Sequence, residues 1–171
     1  MKPPPGSRLP NTISLLVLDV DGVLTDGRLY FGARGEALKV FHVHDGHGIA
    51  QLRRAGVQVA VISGRRSPMV AARCRELGVP HVQQGVSDKL AALARLCVRL
   101  GVQPGACACV GDDLPDVPLM RAVALSFAVA DAHREVRRAA DVVTRRRGGR
   151  GAVREVCDHL LALRARQARA R

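Results

Sequence analysis

Acidic, hydroxyl and cationic side chains recur at four places in the chain, each just beyond an apolar run. Asp19-Val20-Asp21-Gly22 follows the first run, Ser63-Gly64-Arg65 the second, and Gly111-Asp112-Asp113-Leu114-Pro115-Asp116 a later one; Lys89 opens a helical stretch between them. Two carboxylates about 4 Å apart repel by roughly 4 kcal/mol at an effective dielectric near 20. Asp19, Asp112 and Asp116 brought together would therefore raise their own pKa values unless a cation compensated them. An all-oxygen ligand set suits a hard divalent ion, and Mg²⁺ commonly bridges from carboxylates to a phosphate. A hydroxyl at Ser63 and a fixed positive charge at Lys89 would meet the oxygens of a transferring phosphoryl group. That reaction needs mostly positioning and charge stabilisation.

The elements that must deliver these residues can be read from the apolar pattern. Residues 14–20 (SLLVLDV), 57–62 (VQVAVI), 106–110 (ACACV) and 124–129 (ALSFAV) are short and continuously apolar, as buried strands of a parallel sheet are. Residues 81–83 and 142–143 read as shorter strands. Helical patterns fill 46–55, 67–77, 87–100, 114–121, 132–139 and 152–169, with Ser87 the expected N-cap of the third. Two β-like pieces, 28–31 and 37–41, joined by Gly32-Ala33-Arg34-Gly35, predict a hairpin. Repeated βα units imply an α/β fold: a single Rossmann-like parallel sheet with helices on both faces and a small β-hairpin flap. In such sheets ligands bind beyond the carboxyl ends of the strands, where the acids, the hydroxyl and the cation collect. The expected organisation is a flexible N-terminus over 1–11, one domain over 12–160 and a basic tail over 161–171.

Asp19-Val20-Asp21-Gly22-Val23-Leu24-Thr25-Asp26-Gly27, Ser63-Gly64-Arg65, a helix-borne Lys89 and Gly111-Asp112-Asp113-x-x-Asp116 resemble the four motifs of the haloacid dehalogenase superfamily of phosphatases, in order and in placement after strands. Over residues 12–160 the chain is similar to one capless family within it, the 3-deoxy-D-manno-octulosonate 8-phosphate phosphatases. Residues 19–30, 42–49, 63–66, 73–74, 84–85, 111–120, 129–133 and 148–155 carry that similarity. The resemblance implies Mg²⁺-dependent hydrolysis of that sugar phosphate to the free sugar acid, on the route to lipopolysaccharide. It makes Asp19 the nucleophile that forms an aspartyl-phosphate and Asp21 the general acid and base. Ser63 and Lys89 are then the groups on the phosphate. It gives Mg²⁺ to the Asp19 carboxylate, the Asp21 backbone carbonyl and Asp112, with Asp113 and Asp116 supporting from behind.

Between Asp19 and Ser63 there is room for a hairpin and one helix, and between Ser63 and Lys89 for one helix and a short strand. Neither interval holds a cap domain with its own core. The site of a lone subunit should stand open, which is poor for excluding water. The resembling family closes it as a homotetramer, with hairpins meeting at the centre and a Gly-Gly-Arg-Gly segment reaching a neighbour. The same resemblance assigns the substrate, a small phosphorylated sugar acid, to Asp21, the loop His42-Val43-His44-Asp45-Gly46, Arg65, Arg73, Lys89 and Arg150. Arg150, between flexible glycines at 148, 149 and 151, is expected to close over it. His44 stands where the related enzymes carry Arg, which removes a permanent charge and a bidentate fork.

Composition bounds these readings. The chain has 171 residues, 47% of them hydrophobic and 2% aromatic, so one domain with a core of Ala, Val and Leu is expected. No apolar run approaches the roughly 20 residues that cross a bilayer, and the N-terminal residues lack a secretory apolar region, so a cytoplasmic protein without membrane contact is expected. The net charge is +12, and residues 134–171, with twelve Arg and four acids, hold +8 of it. That bias fits a solvated Arg-rich helix or an anionic partner. Nucleic acid is not expected as the partner, since stacking aromatics and the known recognition patterns are absent. Five cysteines without zinc spacing read as buried thiols. The competing readings are a nonulosonate 9-phosphate phosphatase, a noncatalytic scaffold of the same fold and a basic nucleic-acid module.

Overall fold

The computed structural model describes residues 13–169. The strands are β1 (Leu15–Leu18), β2 (Tyr30–Gly32), β3 (Gly35–Leu38), β4 (Gln58–Ser63), β5 (His81–Gln84), β6 (Cys107–Gly111), β7 (Leu125–Ala128) and β8 (Val142–Val143). The helices are α1 (Val43–Arg54), α2 (Pro68–Glu76), α3 (Lys89–Leu100), α4 (Val117–Ala122), α5 (Arg134–Ala139) and α6 (Ala152–Arg169), with a 3₁₀ turn at Leu114–Asp116 before α4. Six strands form one parallel sheet in the order β5-β4-β1-β6-β7-β8, and β2 and β3 form a separate antiparallel hairpin. The α/β reading therefore stands. The flexible N-terminus expected over 1–11 lies outside the described residues.

The continuous apolar runs are explained by their position. β1 is central, pairs on both edges, and exposes at most 2% of any of its four side chains. Helices cover both faces: α1 packs on α6, while α3 packs on α4 and α4 on α5. Val153, Val156, Cys157 and Leu160 bury the inner face of α6 completely or nearly so. All five cysteines are buried free thiols, as expected. No helix among the described residues is long and apolar enough to cross a membrane.

Three local expectations shift. α3 is capped by Asp88, whose Oδ1 accepts from Ala91 N at 2.9 Å, and not by Ser87; this makes Lys89 the first helical residue. α1 starts at Val43, three residues before the expected Gly46, because His42 caps it, its Nδ1 accepting from His44 N at 3.3 Å. Histidine is not a preferred capping residue, so its capping left no signal. The hairpin sits closer to its turn than expected: Gly32 pairs directly with Gly35 across a two-residue turn, while residues 28–29 and 39–41 lie outside the strands.

Candidate active site

β1 and β6 lie side by side in register, Leu18 opposite Val110, so Asp19 and Asp112 leave the same sheet edge. Asp19 is held there by its backbone N–H, which donates to Val110 O at 3.2 Å. The connections turn in opposite directions on either side of this strand pair, which opens a crevice at its carboxyl end. The 3₁₀ turn after β6 brings Asp116 back under the crevice, where its Oδ2 accepts from Asp112 N at 3.1 Å and Asp113 N at 3.4 Å. Asp113 caps that turn, its Oδ1 accepting from Leu114 N at 2.8 Å. Lys89 reaches in from the start of α3. Its Nζ donates to Asp116 Oδ1 at 2.6 Å and lies 2.9 Å from Asp19 Oδ1.

Two carboxylates, Asp19 and Asp116, thus pair with one buried ammonium, and a third, Asp112, stands beside them. Asp19 is 9% exposed, Lys89 8% and Asp116 4%, so water screens none of them well. Burial, with Asp116 adding to it and Lys89 opposing, pushes the Asp19 carboxyl up to about 6. Burial and then repulsion from Asp19 and Asp116 push Asp112 up to about 8. Burial alone would lower the Lys89 ammonium; the two acids beside it more than reverse that and hold it above its ordinary value. One positive charge does not balance all three acids in their ionised form, and Asp112 keeps its proton in place of a second cation.

The oxygens that remain point to what would. Asp19, Asp112 and Asp116 each offer one carboxylate oxygen within 4.8 Å of the others. Both oxygens of Asp116 are already bonded, whereas Asp112 Oδ1 is buried with no hydrogen bond. Asp19 Oδ1 has only the Lys89 ion pair, without a well-directed hydrogen bond. Hard oxygen donors with this much uncompensated charge fit a divalent cation such as Mg²⁺. Gly22 keeps the neighbouring turn clear: its φ is +87°, and a Cβ there would overlap Asp112 Oδ2.

A pH-dependent stability follows. From the ordinary carboxylate range up to about 8, folded Asp112 holds a proton that the unfolded chain has released. The metal-free fold therefore loses stability as pH rises through that window, and a bound cation takes over the proton's role. Thermal melts are expected to show the metal-free Tm falling from pH 5 to pH 8, and Mg²⁺ raising Tm more at pH 8 than at pH 5.

The remaining predicted residues divide. Ser63, 3% exposed at the end of β4, accepts from Arg65 N at 3.4 Å. Asp21 faces the hairpin, where it pairs with Lys39 and stands 3.6 Å from Arg65 Nε. His42, His44 and Arg150 line a cavity of about 670 Å³ together with Arg146 and Arg154. Val43 is exposed on the first turn of α1, and Gly46 is buried one turn further. Arg73 is paired with its helix neighbour Glu76 at 2.9 Å.

Two expectations are corrected. Asp45 is 1% exposed, and its carboxylate accepts from Gly151 N at 3.3 Å and Arg154 N at 2.7 Å; it fixes the start of α6 and has no oxygen turned to a substrate. The glycines around Arg150 are not flexible. Gly148 N donates to Asp131 Oδ1 at 3.0 Å, Gly149 N to Val23 O at 2.9 Å, and a Cβ on Gly148 would overlap the Gly22 carbonyl. Cutting the chain at Gly148 would also remove α6 from the core, so that segment is not a detachable lid.

Sequence reasoning missed Lys39, which meets Asp21 from the hairpin, and Glu36, which pairs with Lys39 and Arg65. One signal was available. The chain has 24 Arg and three Lys, and both described lysines lie at this site.

Residues 81–155 match the haloacid dehalogenase-like hydrolase family model. The chain is similar to 3-deoxy-D-manno-octulosonate 8-phosphate phosphatase KdsC of Escherichia coli, 54% identical over 149 residues, which is 87% of this chain and 79% of the relative. Its fold is similar to the crystal structure of the Yersinia pestis 3-deoxy-D-manno-octulosonate 8-phosphate phosphatase, with a TM-score of 0.87 at 51% identity, covering 90% of this chain and 82% of that one. It is also similar to the Moraxella catarrhalis enzyme of that name, solved with a magnesium ion, a phosphate ion and a KDO molecule. There the TM-score is 0.86 at 42% identity, covering 88% and 86% of the two chains. Motifs, sheet order and relatives agree: this chain belongs to the family of 3-deoxy-D-manno-octulosonate 8-phosphate phosphatases, among the haloacid dehalogenase-like hydrolases.

Proposed function

We infer that this chain is a Mg²⁺-dependent phosphatase that hydrolyses 3-deoxy-D-manno-octulosonate 8-phosphate to the sugar acid and phosphate, a step toward lipopolysaccharide. The observation that carries the reading is the trio Asp19, Asp112 and Lys89 at the carboxyl ends of β1 and β6, with acid oxygens left for a cation. A cation held by Asp19, the Asp21 backbone carbonyl and Asp112 supplies the charge that offsets the crowded acids and the substrate phosphate.

Asp19 attacks phosphorus through a carboxylate oxygen. A P–O bond forms to Asp19 as the P–O bond to the sugar breaks, and Asp21 gives its proton to the departing oxygen. Water then attacks the aspartyl-phosphate. Asp21 takes back a proton, the P–O bond to Asp19 breaks, and phosphate leaves. Ser63 donates to a phosphate oxygen, and Lys89 provides a fixed ammonium whose pairing with Asp116 sets its place. Asp113 shapes the turn that carries Asp116. The arginines of the cavity, Arg146 and Arg150 among them, suit the sugar's carboxylate, with His42 and His44 as hydrogen-bonding neighbours and Arg65 and Arg73 as further cations.

The shortage of walls around the crevice favours closure by neighbouring copies as a homotetramer. Leu29, Phe31, Leu38 and Val40 on and beside the hairpin are exposed by 46%, 66%, 45% and 54%, an apolar edge that supports self-association. A cytoplasmic location agrees with a chain whose described helices include none able to span a bilayer.

Phosphate release from 3-deoxy-D-manno-octulosonate 8-phosphate and from a nonulosonate 9-phosphate, assayed in parallel with Mg²⁺, tests the reading. The expected result is a higher kcat/KM for the eight-carbon substrate, activity abolished by EDTA and restored by Mg²⁺. Preference for the nine-carbon substrate would overturn the substrate, and activity that survives EDTA would overturn the metal.

A further inference from the structure

The Lys39 side chain is 1% exposed, an expensive place for a strongly hydrated ammonium. It lies just past β3, and its Nζ bonds Asp21 Oδ1 and stands 3.0 Å from Glu36 Oε1. Arg65 closes the ring, with Nε 3.6 Å from Asp21 Oδ2 and Nη2 3.3 Å from the same Glu36 oxygen. Acid and base alternate around four side chains; Lys39 bonds Asp21 Oδ1, whereas Oδ2 takes no hydrogen bond from Arg65 and is left to carry a proton. We propose that Lys39 is a positioning residue for Asp21: it holds that carboxyl in the one orientation from which a proton reaches the leaving oxygen. The proposal rests on the role given to Asp21 above.

Three observations support it. A proton donor must come within about 2.6–3.2 Å of the atom it serves. Asp21 sits on a turn beside Gly22, with its side chain 20% exposed, and Lys39 supplies its side-chain hydrogen bond. Arg65 does not, being 43% exposed and beyond hydrogen-bond distance of Asp21. The residue type is also informative. In a chain with 24 Arg to three Lys, this position carries a compact point donor, which reaches an oxygen of each of two carboxylates. The hairpin thereby takes part in the chemistry as well as in assembly.

The bland alternative is that Lys39 only anchors the hairpin. Leaving-group dependence separates the two. The sugar alkoxide needs a proton to depart, whereas 4-nitrophenolate leaves without one, and kcat/KM reports the steps up to that departure. Lys39→Met is expected to lower kcat/KM about 30-fold or more for 3-deoxy-D-manno-octulosonate 8-phosphate and less than about threefold for 4-nitrophenyl phosphate, with Lys39→Arg recovering part of the loss. Asp21→Asn is expected to show the same dependence more strongly. If Lys39→Met does not fold, the Glu36→Gln/Lys39→Met pair removes opposite charges together and carries the same expectation. Equal losses on both substrates, or no loss, while Asp21→Asn remains leaving-group dependent, would overturn the proposal. A wild-type enzyme inactive on the sugar phosphate would overturn the functional reading itself.

Discussion

Asp19→Asn is expected to lower kcat by on the order of 10⁴-fold or more while leaving the fold intact. The amide has the shape of the carboxylate but neither its charge nor its nucleophilicity. Stability should not suffer, because Asp19 is a carboxylate that the fold penalises: burial and Asp116 push its pKa up to about 6. Removing that charge relieves repulsion with Asp112 and Asp116, and Lys89 keeps its hydrogen bond to Asp116. Metal-free melts should therefore show an equal or higher Tm for the variant, together with weaker Mg²⁺ binding by calorimetry. A variant that is both folded and active would remove the nucleophile from this position.

Lys89→Met should show effects of opposite sign on two properties. Its loss removes the fixed charge that meets the phosphate, and deletions of such preorganised donors lower rates by about 10²–10³-fold. The same deletion removes a cation that repels any metal beside Asp19 and Asp112. Mg²⁺ affinity should consequently rise as kcat/KM falls. The metal-free variant should also melt lower, because Asp19 and Asp116 lose the ammonium between them, and a broken buried pair is costly. Steady-state kinetics and Mg²⁺ titration on the same preparation read both effects. A parallel fall in rate and in metal affinity would mean that Lys89 serves only to hold the site's shape.

Much of this site is local in sequence, which is why it could be read there. A central parallel strand is apolar along its whole length, so an acid just beyond it marks the strand end and the ligand crevice together. Asp19, Ser63 and Asp112 are of this kind, and the helix-opening Lys89 is nearly so. Asp21's partners are different. Lys39 lies 18 residues away and Arg65 belongs to another strand end, so their meeting depends on how the hairpin folds back over the crevice. No periodicity encodes that. Asp45 misled for a similar reason. It sits in a motif loop, yet its carboxylate is occupied by amides more than 100 residues further along the chain. The Gly148–Gly151 stretch likewise reads as loose, while its tightness comes from contacts with Val23, Asp131 and Asp45.

The decisive measurement is a crystal structure of the chain grown with Mg²⁺ and orthovanadate, a mimic of the phosphoryl group in transfer. Vanadium is expected in line with a carboxylate oxygen of Asp19, its equatorial oxygens within reach of Ser63 and Lys89, and the magnesium ion between Asp19 and Asp112. Vanadate seated elsewhere, such as among the arginines near Arg150, with no metal joining Asp19 to Asp112, would contradict the assignment of the active site.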